Sequence, residues 1–163
     1  MSVTLDEALW RGPACAQGFD QGRRIMTYTS FSKDDFAAFR ANDRPGPIHM
    51  LNLVKLRDKA EYPDGRDATG AEAYAAYGTG SQKVLERLGG RIVWRGAMEQ
   101  MLIGPQDEDW DLCFIAEYPG PGTFAEMIKD PEYREAMVHR QAGVIESRLI
   151  RMVPLPTGEN FGG

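Results

Sequence analysis

Two polar residues lie inside a mostly apolar run, and their chemistry makes them the first candidates for a site. Residues 48–56 read IHMLNLVKL, and side chains alternate between the two faces of a strand, so Asn52 lies in one apolar row and His49 in the other. A carboxamide among apolar side chains needs hydrogen-bond partners. Asn52 therefore either bonds neighbouring backbone or lines a ligand pocket, and the sequence leaves both open.

His139 is the candidate for acid–base chemistry or axial ligation. It lies at the end of a predicted helix that should cover the sheet, and histidine exchanges protons near neutral pH. Its neighbour Arg140 points about 100° away on the same helix, so at least one of the two faces water. A solvated helix end is the alternative.

Aromatic and basic side chains supply the candidates for ligand binding. Tyr74 and Tyr77 are three residues apart and share one helix face, where their hydroxyl groups could bind a small polar ligand or their rings could line the core. Arg91 and Arg95 are predicted on one face of a strand, as an exposed ladder or as charges beside a cleft. Trp110, which precedes an aspartate at a strand entrance, fits either an edge cap or a pocket rim.

The elements that must position these residues alternate regularly along the chain. Ser32 to Asp35 has the pattern of a capping box at the start of the first helix. Two glycines, Gly78 and Gly80, lie inside the longest predicted helix. Each glycine indicates either a break or a close backbone approach. Gly96 is predicted to form a β-bulge. The predicted elements are a helix from 32 to about 43, a strand ending near 56, a helix at 71–88, strands at 90–104 and 111–118, two short helices meeting at Asp130, and a strand at 144–153.

After the first helix, this order is strand, helix, strand, strand, helix, strand. It predicts a split βαβ arrangement, in which four antiparallel strands have both long helices on one face. The strands are nevertheless apolar on both sides, as Leu51, Leu53 and Trp94 illustrate, so two helices cannot cover them. A large uncovered apolar face is typical of a partner site, and a homodimer with two sheets face to face is the simplest solution. Coverage by the leader and first helix is the alternative.

Composition and charge limit the classes of function. The chain has 163 residues and a formal charge of −5, which gives no basic footprint for nucleic acid. No apolar stretch approaches the roughly 20 residues that span a bilayer, and the start does not read as a signal peptide, so we expect a cytoplasmic protein without membrane contact. Cys15 and Cys113 lack metal-ligand spacing, which argues against a zinc site. We therefore expect no metal, and no cofactor can be assigned.

Several segments together resemble the domain of unknown function 1330 family over roughly Ile48 to Val153. That resemblance implies a ferredoxin-like, dimeric α/β-barrel fold and no particular reaction. The expected organisation is an irregular leader at 1–30, one α+β domain with its N-terminal helix at 31–153, and a tail at 154–163. The segments that carry the resemblance are His49 to Leu56, Tyr62 to Gly65, Glu72 to Tyr77, Gly89 to Trp94, Trp110-Asp111, Asp130 to Tyr133 and Ser147 to Ile150.

Three hypotheses for function remain at this point. The first is a small-molecule-binding protein or cofactor-independent enzyme, with a pocket between sheet and helices formed by Asn52, Tyr74, Tyr77, Arg91 and His139, with Trp110 at its rim. The second is a non-enzymatic dimeric module whose polar residues only tune packing. The third comes from the resemblance: dimeric α/β-barrel proteins include haem-degrading monooxygenases, whose Asn, Trp and His could correspond to Asn52, Trp94 or Trp110, and His139. Whether the chain is an enzyme stays open.

Overall fold

The computed structural model describes residues 15–20, 23–158 and 160–162, with side chains from residue 27 onward. A hairpin and a short helix precede an alternating series of strands and helices. In chain order the elements are β1 (Cys15–Asp20), β2 (Arg23–Tyr28), α1 (Lys33–Ala41), β3 (Ile48–Leu56), α2 (Gly70–Arg87), β4 (Arg91–Gly96), β5 (Leu112–Tyr118), α3 (Pro121–Lys129), α4 (Pro131–Gly143) and β6 (Val144–Met152).

The main sheet has the strand order β4-β5-β3-β6, and every neighbouring pair in it is antiparallel. With α2 between β3 and β4, and α3 and α4 between β5 and β6, the topology is βαββαβ. The predicted α+β class and ferredoxin-like fold are confirmed. The helices cover one sheet face, where Ile48, Met50 and Tyr118 pack with Val84 of α2 and Phe124 of α3 in a single core.

The helix starts follow local sequence chemistry. Ser32 is the N-cap of α1, and its hydroxyl accepts from the Asp35 N–H while the Asp35 carboxylate accepts from the Ser32 N–H, which confirms the predicted capping box. Thr69 and Glu72 form the same motif at the start of α2. Asp130 ends α3 and caps α4, and its carboxylate also pairs with Arg87 at the end of α2, at 2.6 Å.

The two glycines inside α2 have different reasons to be there. A Cβ on Gly80 would lie 2.8 Å from the Cβ of Ala136, so this glycine permits the close approach of α2 to α4. A Cβ on Gly78 would meet nothing within 4 Å. The helix runs unbroken through both positions. Gly80 therefore serves a close contact between helices, whereas Gly78 lies beside open space.

Two predictions about local structure are wrong. The leader was expected to be irregular to residue 30, but β1 and β2 pair as a hairpin, while residues 1–14 lie outside the described part of the chain. The second strand of the main sheet was expected to run to residue 104, but β4 ends at Gly96. Its bulge falls between Ile92 and Trp94 rather than at Gly96.

The sheet face away from the helices, here called the outer face, carries exposed apolar side chains. Trp94 is 49% exposed and Ile150 is 45% exposed. The outer face also carries a polar ladder in which Glu117 accepts from His49 and from Arg91, at 2.9 Å each. The hydrogen bond from His49 and then that from Arg91 lower the pKa of Glu117. The first helix does not cover this face, because α1 packs through Phe36 and Phe39 against the core on the helix side.

Candidate functional site

A cavity of about 1460 Å³ lies between the sheet and the helices. Its floor is the helix-facing side of the sheet, and its walls come from α1, α2 and α4 with the segment that precedes α1. The helices α2 and α4 contact each other extensively, whereas α2 makes few contacts with β3. Gly78, which has open space where a side chain would be, lies on its wall.

One row of side chains crosses the floor on all four strands. The strand registers place Arg95 of β4 beside Phe114 of β5, Phe114 beside Asn52 of β3, and Asn52 beside Leu149 of β6. All four residues line the cavity. A polar residue and a basic residue therefore flank an aromatic ring on the same face of the sheet.

Asn52 has both features that the sequence left open. Its amide nitrogen donates to the carbonyl oxygen of Met50, at 2.9 Å, so the backbone satisfies part of the side chain. Its amide oxygen has no hydrogen-bond partner in the described part of the chain, and the residue lines the cavity. Backbone bonding and pocket lining are compatible, because a carboxamide has separate donor and acceptor groups.

The two tyrosines of α2 both line the cavity, but their hydroxyl groups differ. The Tyr77 hydroxyl lies 3.1 Å from that of Tyr133, so it has a partner within the protein. The Tyr74 hydroxyl has no hydrogen-bond partner among the residues with described side chains. Burial, and secondarily the neighbouring Tyr77, raise the pKa of Tyr74 well above its ordinary value. Tyr74 is therefore a neutral phenol at physiological pH that can donate a hydrogen bond to a ligand.

Arg91 and Arg95 lie on opposite faces of the sheet, although the alternation of β4 predicts a shared face. Arg91 borders the cavity, but its guanidinium pairs with Glu117 on the outer face. The bulge between Ile92 and Trp94 inserts one residue, which places Arg95 opposite Phe114 on the cavity side. The sequence hypothesis gave Arg91 a place in the pocket, but its guanidinium pairs with Glu117 on the outer face. Arg95, which had no place in that hypothesis, lies on the cavity side because of a bulge that has no visible signal in the sequence.

His139 and Trp110 lie outside the cavity lining. The Nδ1 atom of His139 is 2.7 Å from the hydroxyl of Tyr62, so this pair fastens the loop before α2 to α4. Trp110 is 6% exposed and stacks under the guanidinium of Arg148. The structure therefore places His139 and Trp110 in packing contacts, and it corrects the prediction that His139 flanks the same pocket as Asn52.

The haem-degrading arrangement is not assembled either. Asn52 lines the cavity, Trp94 is on the outer face, and His139 is bonded to Tyr62. No group of three or more His, Cys, Asp or Glu side chains in the described region is placed to hold a metal ion. Among the described helices, none has the length and apolarity to cross a membrane.

Two further basic residues line the cavity without having been singled out from the sequence, Arg140 of α4 and Arg151 of β6. Arg140 donates to the carbonyl oxygen of Thr29 at 2.7 Å and to the hydroxyl of Ser147 at 3.1 Å. Arg151 donates to the carbonyl oxygen of Phe39 at 3.0 Å. Neither partner set contains a carboxylate. The sequence shows their charge but not that strand register and helix rotation turn both toward one space.

Comparisons with known proteins agree with this topology. The sequence model of DUF1330, a domain of unknown function, matches residues 66–152. The RPA0582 protein of Rhodopseudomonas palustris, a protein of unknown function, is 63% identical with a TM-score of 0.78, over 80% of this chain and 99% of its own. A structure of methylated RPA0582 protein is 64% identical with a TM-score of 0.80, over 83% of this chain and 100% of its own.

A more distant similarity is to a dimeric protein of unknown function and ferredoxin-like fold from Bacteroides fragilis. It is 14% identical with a TM-score of 0.43, over 66% of this chain and 95% of its own. No curated protein matches the chain.

Proposed function

This chain belongs to the DUF1330 family, whose description assigns no activity, and we propose that it binds a small, largely apolar molecule in the cavity between its sheet and its helices. The observation that carries the proposal is the cavity itself, whose lining includes Asn52 and Tyr74. The Asn52 amide oxygen and the Tyr74 hydroxyl have no hydrogen-bond partner in the described part of the chain, so both can bind a ligand. Binding sites are typically apolar clefts with a few polar groups that orient the ligand. A packed core would have no use for an unpartnered hydroxyl group beside open space.

The lining favours binding over acid–base chemistry. Neither histidine of the chain lines the cavity. The two acidic side chains that do line it are already engaged: Asp35 accepts from Ser32, and Glu86 accepts from the Gln82 amide at 2.7 Å. The remaining polar groups are mainly hydroxyls, phenols, amides and guanidinium groups, together with the Lys33 ammonium and the Cys113 thiol, and they can orient a ligand by hydrogen bonds and charge.

Cavity binding can be tested with a neutral fluorescent probe and a matched pair of variants. Nile red should bind the wild-type protein saturably with a blue-shifted emission. Gly78→Leu should weaken this binding, because the new side chain would occupy part of the cavity beside the α2 wall. Gly122→Leu is the control: Gly122 is also a helical glycine with nothing within 4 Å of its Cβ position, but it lies outside the cavity lining. Equal Nile red binding by both variants would overturn the proposal.

We also propose that the protein is a homodimer that buries the outer face. Trp94 and Ile150 are half-exposed there, and Leu51 and Leu53 have no helix above them. Removing such a surface from water stabilises association at roughly 25 cal/mol per Å² of apolar area. The second candidate function is that of a purely structural dimer. A wild-type protein that dimerises but does not bind Nile red in the cavity would favour it. The cytoplasmic location stays a prediction.

A further inference from the structure

Three arginine side chains on the cavity wall lack a carboxylate partner within the described part of the chain: Arg95, Arg140 and Arg151. The other two arginines of the lining do have one, since Arg91 pairs with Glu117 and Arg148 with Glu146. The cavity thus carries excess positive charge although the whole chain has a formal charge of −5.

Arg151 is the least compensated of the three. Its guanidinium lies 4.8 Å above the ring of Phe39, and its Nη2 atom is buried without a hydrogen-bond partner among the described residues. A buried charged donor without an acceptor is unfavourable unless a negative charge lies nearby. Arg140 has hydrogen bonds to neutral acceptors only, which fix its orientation and leave its charge in place.

Arg95 is the accessible member of the set. It is exposed, it makes no hydrogen bond or ion pair with a described residue, and it shares the cavity floor with Asn52 and Phe114. Its free N–H donors can hold a carboxylate in the bidentate geometry typical of arginine. Next to it, the floor continues over the Phe114 ring and the Asn52 carboxamide to Leu149.

We propose, resting on the cavity binding above, that the ligand is an amphipathic organic acid, with its carboxylate at Arg95 and its apolar body over Phe114 and Leu149. Arg140 and Arg151 add positive potential inside the cavity, where charges are screened less than at the surface. The neutral Tyr74 hydroxyl supplies a further donor. An uncharged ligand of the same shape would leave the Arg95 guanidinium without a carboxylate partner.

The test uses two probes of nearly equal shape, 4-phenylbutyrate and its neutral amide, 4-phenylbutyramide, as competitors of Nile red. On the wild-type protein the acid should displace Nile red at a concentration at least about tenfold lower than the amide, which corresponds to one charge-assisted hydrogen-bonded contact. Raising the salt concentration should weaken binding of the acid and leave binding of the amide unchanged.

Two variants and a control locate the effect. Arg95→Met should reduce the acid-to-amide preference to about twofold or less, and Arg151→Met should reduce it in the same direction. Arg66→Met is the control, because Arg66 is an exposed arginine in the loop before α2, paired with Asp64 and outside the cavity lining. Melting curves verify that each variant is folded.

The outcomes separate this inference from the proposed function. Equal displacement by acid and amide, displacement by neither, or a preference that survives Arg95→Met would overturn the assignment of an organic acid while Nile red binding in the cavity still stands. Nile red binding that is insensitive to Gly78→Leu would remove the cavity proposal itself.

Discussion

At the scale of single residues, Asn52 combines a structural bond with a place on the cavity floor. Its amide nitrogen donates to the Met50 carbonyl at 2.9 Å, and its amide oxygen has no partner among the described residues. The usual choice between a structural and a functional polar residue does not apply here, because each half of the carboxamide serves one purpose. Its contribution to stability therefore comes from the donor alone.

We expect Asn52→Leu to lower the free energy of unfolding by about 1 kcal/mol, because one hydrogen bond to the backbone is lost. The added apolar surface on a row that includes Met50 and Val54 limits the loss. Urea denaturation of the variant and the wild type measures the difference. An unchanged or higher free energy of unfolding would mean that the bond to Met50 contributes nothing.

The sequence indicates the location of some candidate site residues and not of others. Asn52, Tyr74 and Tyr77 were correctly expected to share one space between sheet and helices, because strand alternation and helix periodicity fix which way they point. His139 was expected in that space, but it bonds Tyr62 outside the cavity lining. Arg95 was not expected there, but the bulge in β4 places it on the cavity side. Contacts between distant segments and one-residue insertions leave no trace in local periodicity.

At the scale of elements, the helix pair α2 and α4 sets the height of the cavity roof. Their close contact depends on Gly80, while Gly78 two residues earlier faces the open space. The N-caps of α2 and α4 are Thr69 and Asp130, residue types that favour a helix start. Both helices begin within one residue of the boundaries expected from the sequence. What the sequence could not show is which glycine met another helix.

The two glycines of α2 should respond to alanine with opposite signs. Gly78→Ala should raise the free energy of unfolding by about 0.5–1 kcal/mol, since alanine is the better helix former and its methyl group meets open space. Gly80→Ala should lower it by about 1–3 kcal/mol, since the methyl group would overlap Ala136. Each variant is the control for the other in one set of thermal melts. Effects of the same sign would contradict the assigned packing.

At the scale of the whole molecule, the four-stranded sheet has one face under helices and one without. The order of elements predicted four antiparallel strands with both long helices on one face. The bare outer face was predictable because strands that are apolar on both sides require two covers. The hairpin of β1 and β2 was not, since its sequence shows no sustained alternation. This asymmetry is the reason to expect a second copy of the chain.

We expect sedimentation of the pure protein to give about twice the chain mass of 18.2 kDa. Ile150→Glu should convert it to a monomer, because a charge would be buried in the interface. Val138→Glu is a matched control, since Val138 on α4 is also 45% exposed but lies away from the outer face. A wild-type monomer at micromolar concentration, or equal effects of the two variants, would exclude the face-to-face dimer.

The bulge in β4 also bears on how the protein avoids aggregation. An edge strand with regular alternation offers unpaired backbone groups on which strands of other molecules can add. Between Ile92 and Trp94 the register of β4 shifts, and arginines precede and follow the irregularity. A second chain could not continue the ladder past that point without losing hydrogen bonds and bringing like charges together. One extra residue thus both turns Arg95 toward the cavity and keeps this edge of the sheet from acting as a template for fibrous assembly.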